Sequence, residues 1–143
     1  MDKEYCTIWQ PIEGVISPCA DISMHLHSPR DLSVILHFSR VVGNPPRDLE
    51  LIFKGCISIR WEDECFGLTP LPDTLPRCTD PQWSRWTYPL LRIEHSKWLQ
   101  QHSDRHPSAS AERIHFALIA MNDLVQILAL PDVSAKWIDI NSA

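Results

Sequence analysis

The chain has 143 residues, 44% of them apolar and 22% charged, with a formal net charge of −5. That length and composition fit one globular domain spanning 1–143 with a hydrophobic core of its own, and they exclude a largely disordered chain. The negative balance argues against nonspecific binding to nucleic acid or to an anionic membrane surface, and it leaves room for a basic protein partner.

The start, Met1-Asp2-Lys3-Glu4, is charged and no apolar run follows it, unlike a secretory signal. No stretch approaches the roughly 20 apolar residues of a membrane-spanning helix. The expectation is a cytoplasmic protein. The five cysteines, Cys6, Cys19, Cys56, Cys65 and Cys78, suit that compartment. Their number is odd and no pair has C-x-x-C spacing, so they read as reduced thiols. Twelve prolines, mostly outside the strand-like runs, argue for rigid loops and against long helices.

Residues 4–9, EYCTIW, form a short strand candidate that Pro11 ends. In 20–27, Ile22, Met24 and Leu26 alternate with Ser23, His25 and His27, as in a strand with one polar face. Ser28-Pro29-Arg30-Asp31 is a turn, and 32–39 resumes the alternation, which gives a hairpin. Gly43-Asn44-Pro45-Pro46 breaks the chain before the longest period-two run, Asp48 to Glu64. There Leu49, Leu51, Phe53, Ile57, Ile59 and Trp61 share one buried face. Gly55 sits in the middle, and because the alternation stays in phase across it, a kinked strand is favoured over two strands in a tight hairpin.

Residues 65–85 carry Pro70, Pro72, Pro76 and Pro81 and no regular pattern. They read as a proline-stiffened cover held down by Phe66, Leu68, Leu71 and Leu75; a functional loop is the competing reading. Residues 85–94 are a strand with an edge or bulge at Pro89. Ser96 caps a short helix over 97–102, and 103–112 is an exposed loop. Residues 113–121 are apolar on both faces, as in an interior strand. Asn122-Asp123 turns the chain into a returning strand at 124–130, in preference to a helix capped by Asp123 that Pro131 would cut short. Residues 133–140 are a final strand or a short helix. The fold class is mainly β, with α+β the alternative: an antiparallel sandwich, a partly open barrel or a curved sheet, with one or two short helices.

Three constellations could carry chemistry. His25 and His27 have the H-x-H spacing that lets two imidazoles on one strand face hold a metal, with His37 from the neighbouring strand as third ligand. Glu62, Asp63 and Glu64 make a dense acidic run at a strand end, suited to a hard cation or a basic protein surface. Six tryptophans are many for a chain of this size. Trp83 and Trp86, in the proline-rich stretch, are candidates for an exposed binding surface, whereas Trp9, Trp61 and Trp137 suit the core. His102 and His106 read as surface loop residues.

Nucleophilic serine or cysteine chemistry has no sequence signature here: there is no G-x-S-x-G elbow. Four glycines without a phosphate-binding loop exclude the usual nucleotide sites. No cofactor is implied. The expected function is therefore a noncatalytic protein-binding domain, of the immunity or inhibitor type, using Glu62, Asp63, Glu64, Trp83 and Trp86 against a protein partner. The alternative is a metal-binding domain or metal-assisted enzyme using the histidine cluster. A ligand-binding β-barrel is a third class. No nucleic acid or membrane partner is expected, and the chain is a monomer or a homodimer through an edge strand.

Overall fold

The period-two pattern is realised as strands along nearly the whole chain, and the prolines and glycines fall between them. The structure is a computed structural model that describes residues 3–63, 71, 75–106 and 112–140. The strands are β1 (Tyr5–Ile8), β2 (Ile22–Ser28), β3 (Asp31–Leu36), β4 (Arg47–Phe53), β5 (Ser58–Asp63), β6 (Leu90–Glu94), β7 (Ile114–Ile119), β8 (Asp123–Ala129) and β9 (Val133–Asp139). Among the described residues one α-helix, α1 (Lys97–Arg105), joins β6 to β7, and Phe38–Arg40 and Pro81–Trp83 form single 3-10 turns. A five-stranded sheet has the order β1-β6-β7-β8-β5, and a four-stranded sheet has the order β2-β3-β4-β9. All pairings within them are antiparallel, and the sheets face one another without closing into a barrel. Among the described residues, no helix is long and apolar enough to cross a membrane.

The core lies between the sheets. Leu32, Val34 and Leu36 of β3 and Leu49, Leu51 and Phe53 of β4 meet Phe116, Leu118, Val125 and Ile127 from β7 and β8. Trp9 closes one side, its ring 4.6 Å from Phe116 and 5.9 Å from Phe53. Phe53 and Phe116 meet edge to face at 5.2 Å. A smaller cluster of Tyr88, Leu91, Ile93 and Ala117 covers the other face of the five-stranded sheet, with Leu71 and Leu75 packed on it. Those two leucines hold the proline-rich cover down as expected; Phe66 and Leu68 lie outside the described residues.

The expectation of one long kinked strand from Asp48 to Glu64 is corrected. β4 and β5 belong to different sheets, and residues 54–57 carry the chain from one to the other. Gly55 adopts φ +59, a left-handed conformation that side chains disfavour. The alternation nevertheless stays in phase. Ile59 pairs with Ile127 and Trp61 with Val125, both core residues, so Ile59 and Trp61 face the inside of the sandwich. Sequence reasoning buries them, but Ile59 is 39% and Trp61 54% exposed. β5 is an edge strand, and among the described residues the facing sheet leaves those two side chains largely uncovered.

β2, the edge of the other sheet, lies opposite. The Cys56 N–H, just before β5, donates to the Arg30 carbonyl in the β2–β3 turn at 2.8 Å. At the far end Asp21, which precedes β2, is close enough to Asp123 to perturb it, as Asp63 does from β5. Leu26 pairs with buried Leu32, faces inward, and is 54% exposed. Among the described residues nothing spans this long side of the sandwich, and apolar inward-facing residues stand on both of its lips.

The remaining assignments resolve cleanly. The β7–β8 turn at Asn122 and the strand β9 replace the helical alternatives. Ser96 caps α1, its Oγ accepting from Leu99 N at 3.0 Å. The helix runs on through Ser103-Asp104-Arg105, which the sequence places in a loop, and so the His102 and His106 rings come 5.4 Å apart. The strand expected over 85–94 starts only at Leu90. Before it the chain makes a tight loop in which Cys78 N donates to Trp86 O and Tyr88 N to Pro76 O.

Candidate functional site

The three histidines singled out by spacing do not converge. His25 and His27 stand together, their rings 4.5 Å apart, on the exposed face of β2. His37 follows β3, and its backbone pairs with Asp21 rather than with His25, whose partner is Ser33. Four strand residues, roughly 13 Å, separate the two positions. Among the described residues, no group of three or more His, Cys, Asp or Glu side chains is placed to hold a metal ion.

His37 has other partners. Its Nδ1 lies 3.0 Å from Asp48 Oδ2, and its Nε2 lies 2.7 Å from Ser23 Oγ. The other carboxylate oxygen of Asp48 accepts from the Ser39 N–H at 3.0 Å and the Ser39 hydroxyl at 2.6 Å. Burial alone would raise the Asp48 carboxyl. The Ser39 hydroxyl, the Ser39 N–H and His37 together outweigh it and hold the group below its ordinary range. An ionised Asp48 can only accept, so Nδ1 carries a proton, and in the neutral form of the ring Nε2 accepts from the Ser23 hydroxyl. Serine, histidine and aspartate thus stand in a hydrogen-bonded line. The residues come from three separate elements, and no local motif announces them.

Sequence reasoning also misses a buried histidine. His115 on β7 sits between Ser96, at 2.6 Å from its Nδ1, and Gln126, whose Oε1 is 2.7 Å from its Nε2. Trp98 meets the ring edge-on at 5.1 Å, and Arg60 stacks over Trp98 at 4.0 Å. Burial drives the His115 pKa down to about 4. A base that weak takes protons poorly near neutrality. With Ser96 also capping the helix, this network reads as a structural tie between α1 and the sheet. A sequence signal for it exists: one histidine and one glutamine in runs otherwise apolar on both faces.

The tryptophans and the acidic run separate into two places. Trp83 is half-buried, with Gly43 directly against its ring, in a small depression that Trp137 also lines. Trp86 is 41% exposed and lines a groove of about 250 Å³. The groove walls are Leu71, Leu75, Ile119, Met121 and Leu124, and Asn122 and Asp123 close one end. Glu62 pairs across the sheet with Leu124, and Asp63 with Asp123, so the acidic end of β5 adjoins this groove. Trp86 lines the groove, Glu62 and Asp63 lie one strand away from its Leu124 and Asp123, Trp83 lines the other depression, and Glu64 lies outside the described residues.

Asp123, at the groove, has acidic neighbours. Burial, then Asp63, then Asp21 raise the Asp123 carboxyl above its ordinary value. Asp21 is answered in part by Arg40, whose Nη1 donates to Oδ2 at 2.6 Å. Its other oxygen, Oδ1, is buried without a hydrogen-bond partner among the described residues. Asp21 and Asp63 thus both act on Asp123 beside an apolar slot, and Asp21 and Asp63 each have a partner of their own.

No family model matches this chain, and no curated protein or solved structure matches it.

Proposed function

We propose that this chain is a noncatalytic protein-binding domain, of the immunity or inhibitor type, whose recognition site is the Trp86 groove with its acidic end. The observation that carries this reading is an apolar slot lined by Asp123 and a half-exposed tryptophan, with Asp63 and Asp21 near enough to act on Asp123. Like charges held together cost stability, and a cation brought by a partner relieves that cost. An exposed tryptophan beside a groove offers a large apolar contact that retains a hydrogen-bond donor. The partner segment presents an apolar side chain next to a lysine or arginine.

Panning random phage-displayed peptides on the purified chain tests this. Enriched peptides should carry an apolar residue beside Lys or Arg. They should lose binding to Trp86→Ala and to Asp63→Asn/Asp123→Asn, and weaken with added salt. Enrichment indifferent to these substitutions, or none at all, would refute the reading.

A second reading rests on Ser23–His37–Asp48. In it, Ser23 Oγ attacks an ester carbonyl while His37 Nε2 takes the hydroxyl proton and passes it to the departing alcohol; water then releases the acid and restores the serine. Asp48 fixes the tautomer. None of the concavities described for this chain, including the groove above, is lined by Ser23 or His37, so this reading ranks below the binding one. Hydrolysis of p-nitrophenyl acetate, lost in Ser23→Ala and in Asp48→Asn, would promote it; equal rates in wild type and variants would end it.

A further inference from the structure

The Trp86 groove lies at the Ile119 end of β7; a larger cavity, of about 620 Å³, lies at the Ile114 end. We propose that this cavity binds a small organic anion, whose carboxylate or phosphate oxygens are held by the Arg92 guanidinium with Lys97 alongside. A volume of this order suits a small-molecule ligand. The site is separate from the peptide groove and stands or falls without it.

The cavity forms where two paired strands part. β6 and β7 are in register from Leu90–Leu118 to Ile93–His115, and there their ladder stops. β6 ends at Glu94, His95 and Ser96 lead into α1, and the chain returns through Glu112 to start β7 at Ile114. His95 and Glu112 both line the cavity. They are also the two non-glycine residues with positive φ among the described residues, at 54 and 66. Such residues keep a left-handed backbone only where their surroundings hold it. Leu99 and Ile114 add apolar wall.

Arg92 supplies the recognition. Its neighbours Leu91 and Ile93 belong to the cluster on the outer face of the sheet, so Arg92 lies on the core-facing side, paired with Phe116 and Thr7. Its Nε is buried without a hydrogen-bond partner, and among the described residues it is the one cationic nitrogen so placed. A buried donor with its bond unmade costs stability, and an oxyanion brought to it removes that cost through a charge-assisted bond. The carboxylate on the same face does not serve: Glu94 accepts from the Thr7 hydroxyl at 3.3 Å. Arg113 also lines the cavity, but its Nε donates to the Gly55 carbonyl at 2.8 Å, which leaves Arg92 as the anchor. Lys97 adds a second positive charge from the first turn of α1. Arg92, Lys97 and Arg113 thus outnumber Glu94 and Glu112 around the cavity, a balance that favours an anion. The site rests on side chains, because Lys97 N already donates to Glu4 at 3.1 Å and Leu99 N to Ser96 Oγ at 3.0 Å.

Nitrogen-15 NMR of the arginine Nε–H groups reads this site directly. The purified chain is titrated separately with inorganic phosphate and with succinate, at an ionic strength held constant with sodium chloride. The Arg92 Nε–H resonance, assigned by its disappearance in Arg92→Gln, should move and saturate with at least one probe, and the tighter probe shows which oxyanion is preferred. Followed through the backbone amides of His95 and Glu112, binding should weaken at least about tenfold in Arg92→Gln. In Lys97→Ala, at an exposed position, it should weaken about two- to fivefold. The amide spectrum reports whether each variant is folded, and Lys97→Ala decides if Arg92→Gln is not. An Arg92 resonance that neither probe moves would overturn the proposal. So would a drift without saturation, the mark of an adventitious ion only, or unchanged affinity in a folded variant.

Discussion

Acid should destabilise this protein between pH 6.5 and about 4, and His115 should account for most of it. Burial lowers the His115 pKa from its ordinary 6.5 to about 4 in the fold. The unfolded chain therefore binds a proton in that interval that the folded chain refuses, and stability rises with pH across it. At about 1.36 kcal/mol per pKa unit, the loss on going from neutral pH to about pH 4 is about 3 kcal/mol. Below about pH 4 both states are protonated and this residue contributes no further loss. The local geometry supplies the reason. Ser96 Oγ accepts from Leu99 N and donates its own proton to Nδ1, while Nε2 donates to Gln126. A second ring proton at Nδ1 would face the serine proton and break that line. Urea denaturation at neutral pH and near pH 4 measures the loss. In His115→Gln the loss over this interval should largely disappear, although neutral-pH stability should fall by about 1–3 kcal/mol because Ser96 and Gln126 lose a buried partner. An NMR titration that finds the His115 ring protonating near 6.5 in the intact fold would refute the reasoning, as would an undiminished acid loss in the variant.

Gly55→Ala should cost about 1–3 kcal/mol in urea denaturation, because φ there is +59 and a Cβ would meet Leu130 Cδ1 at 2.7 Å. Asp123→Asn should raise the melting temperature at neutral pH. The raised folded pKa means that the ionised carboxylate opposes folding there, and the gain should vanish below its ordinary value of 3.8. The same substitution should weaken peptide capture, so stability and binding would move in opposite directions. Leu51→Ala, at a fully buried position between the sheets, should cost about 2–5 kcal/mol with a Trp86-dependent binding signal unchanged in the fraction that remains folded.

Much of the fold was legible because strands write their two faces directly into the sequence. The β2–β3 turn at Pro29-Arg30, the turn at Asn122 and the Ser96 cap were all readable from local chemistry. What the pattern could not convey was which sheet a strand joins. β4 and β5 keep one continuous alternation, so the change of sheet at Gly55 left no trace in the phase. Trp61 looked like core for the same reason: periodicity gives the direction of a side chain but not whether anything covers it. The site followed the same division. The acidic end of β5 and Trp86 were visible as types of residue, and that Asp123 and Leu124 lie beside both needed the β5–β8 register. His37 was noticed for a histidine partner along the hairpin, whereas its actual partners, Asp48 and Ser23, come from elements that only folding brings together.

The strand order also constrains how the chain reaches this state. β1 pairs with β6, joining Tyr5 to Glu94, and β4 pairs with β9, joining Arg47 to Asp139. Both ladders close very long loops, and such distant pairings slow folding because chain entropy is lost before contacts compensate for it. Until residues 133–139 have emerged from the ribosome, β4 presents a bare edge with Leu49, Leu51 and Phe53 beside it. The nascent chain is therefore exposed to wrong pairing over most of its synthesis, and β9 acts as the latch that ends that interval. A chain truncated before Val133 should accumulate in aggregates rather than as a smaller soluble fold.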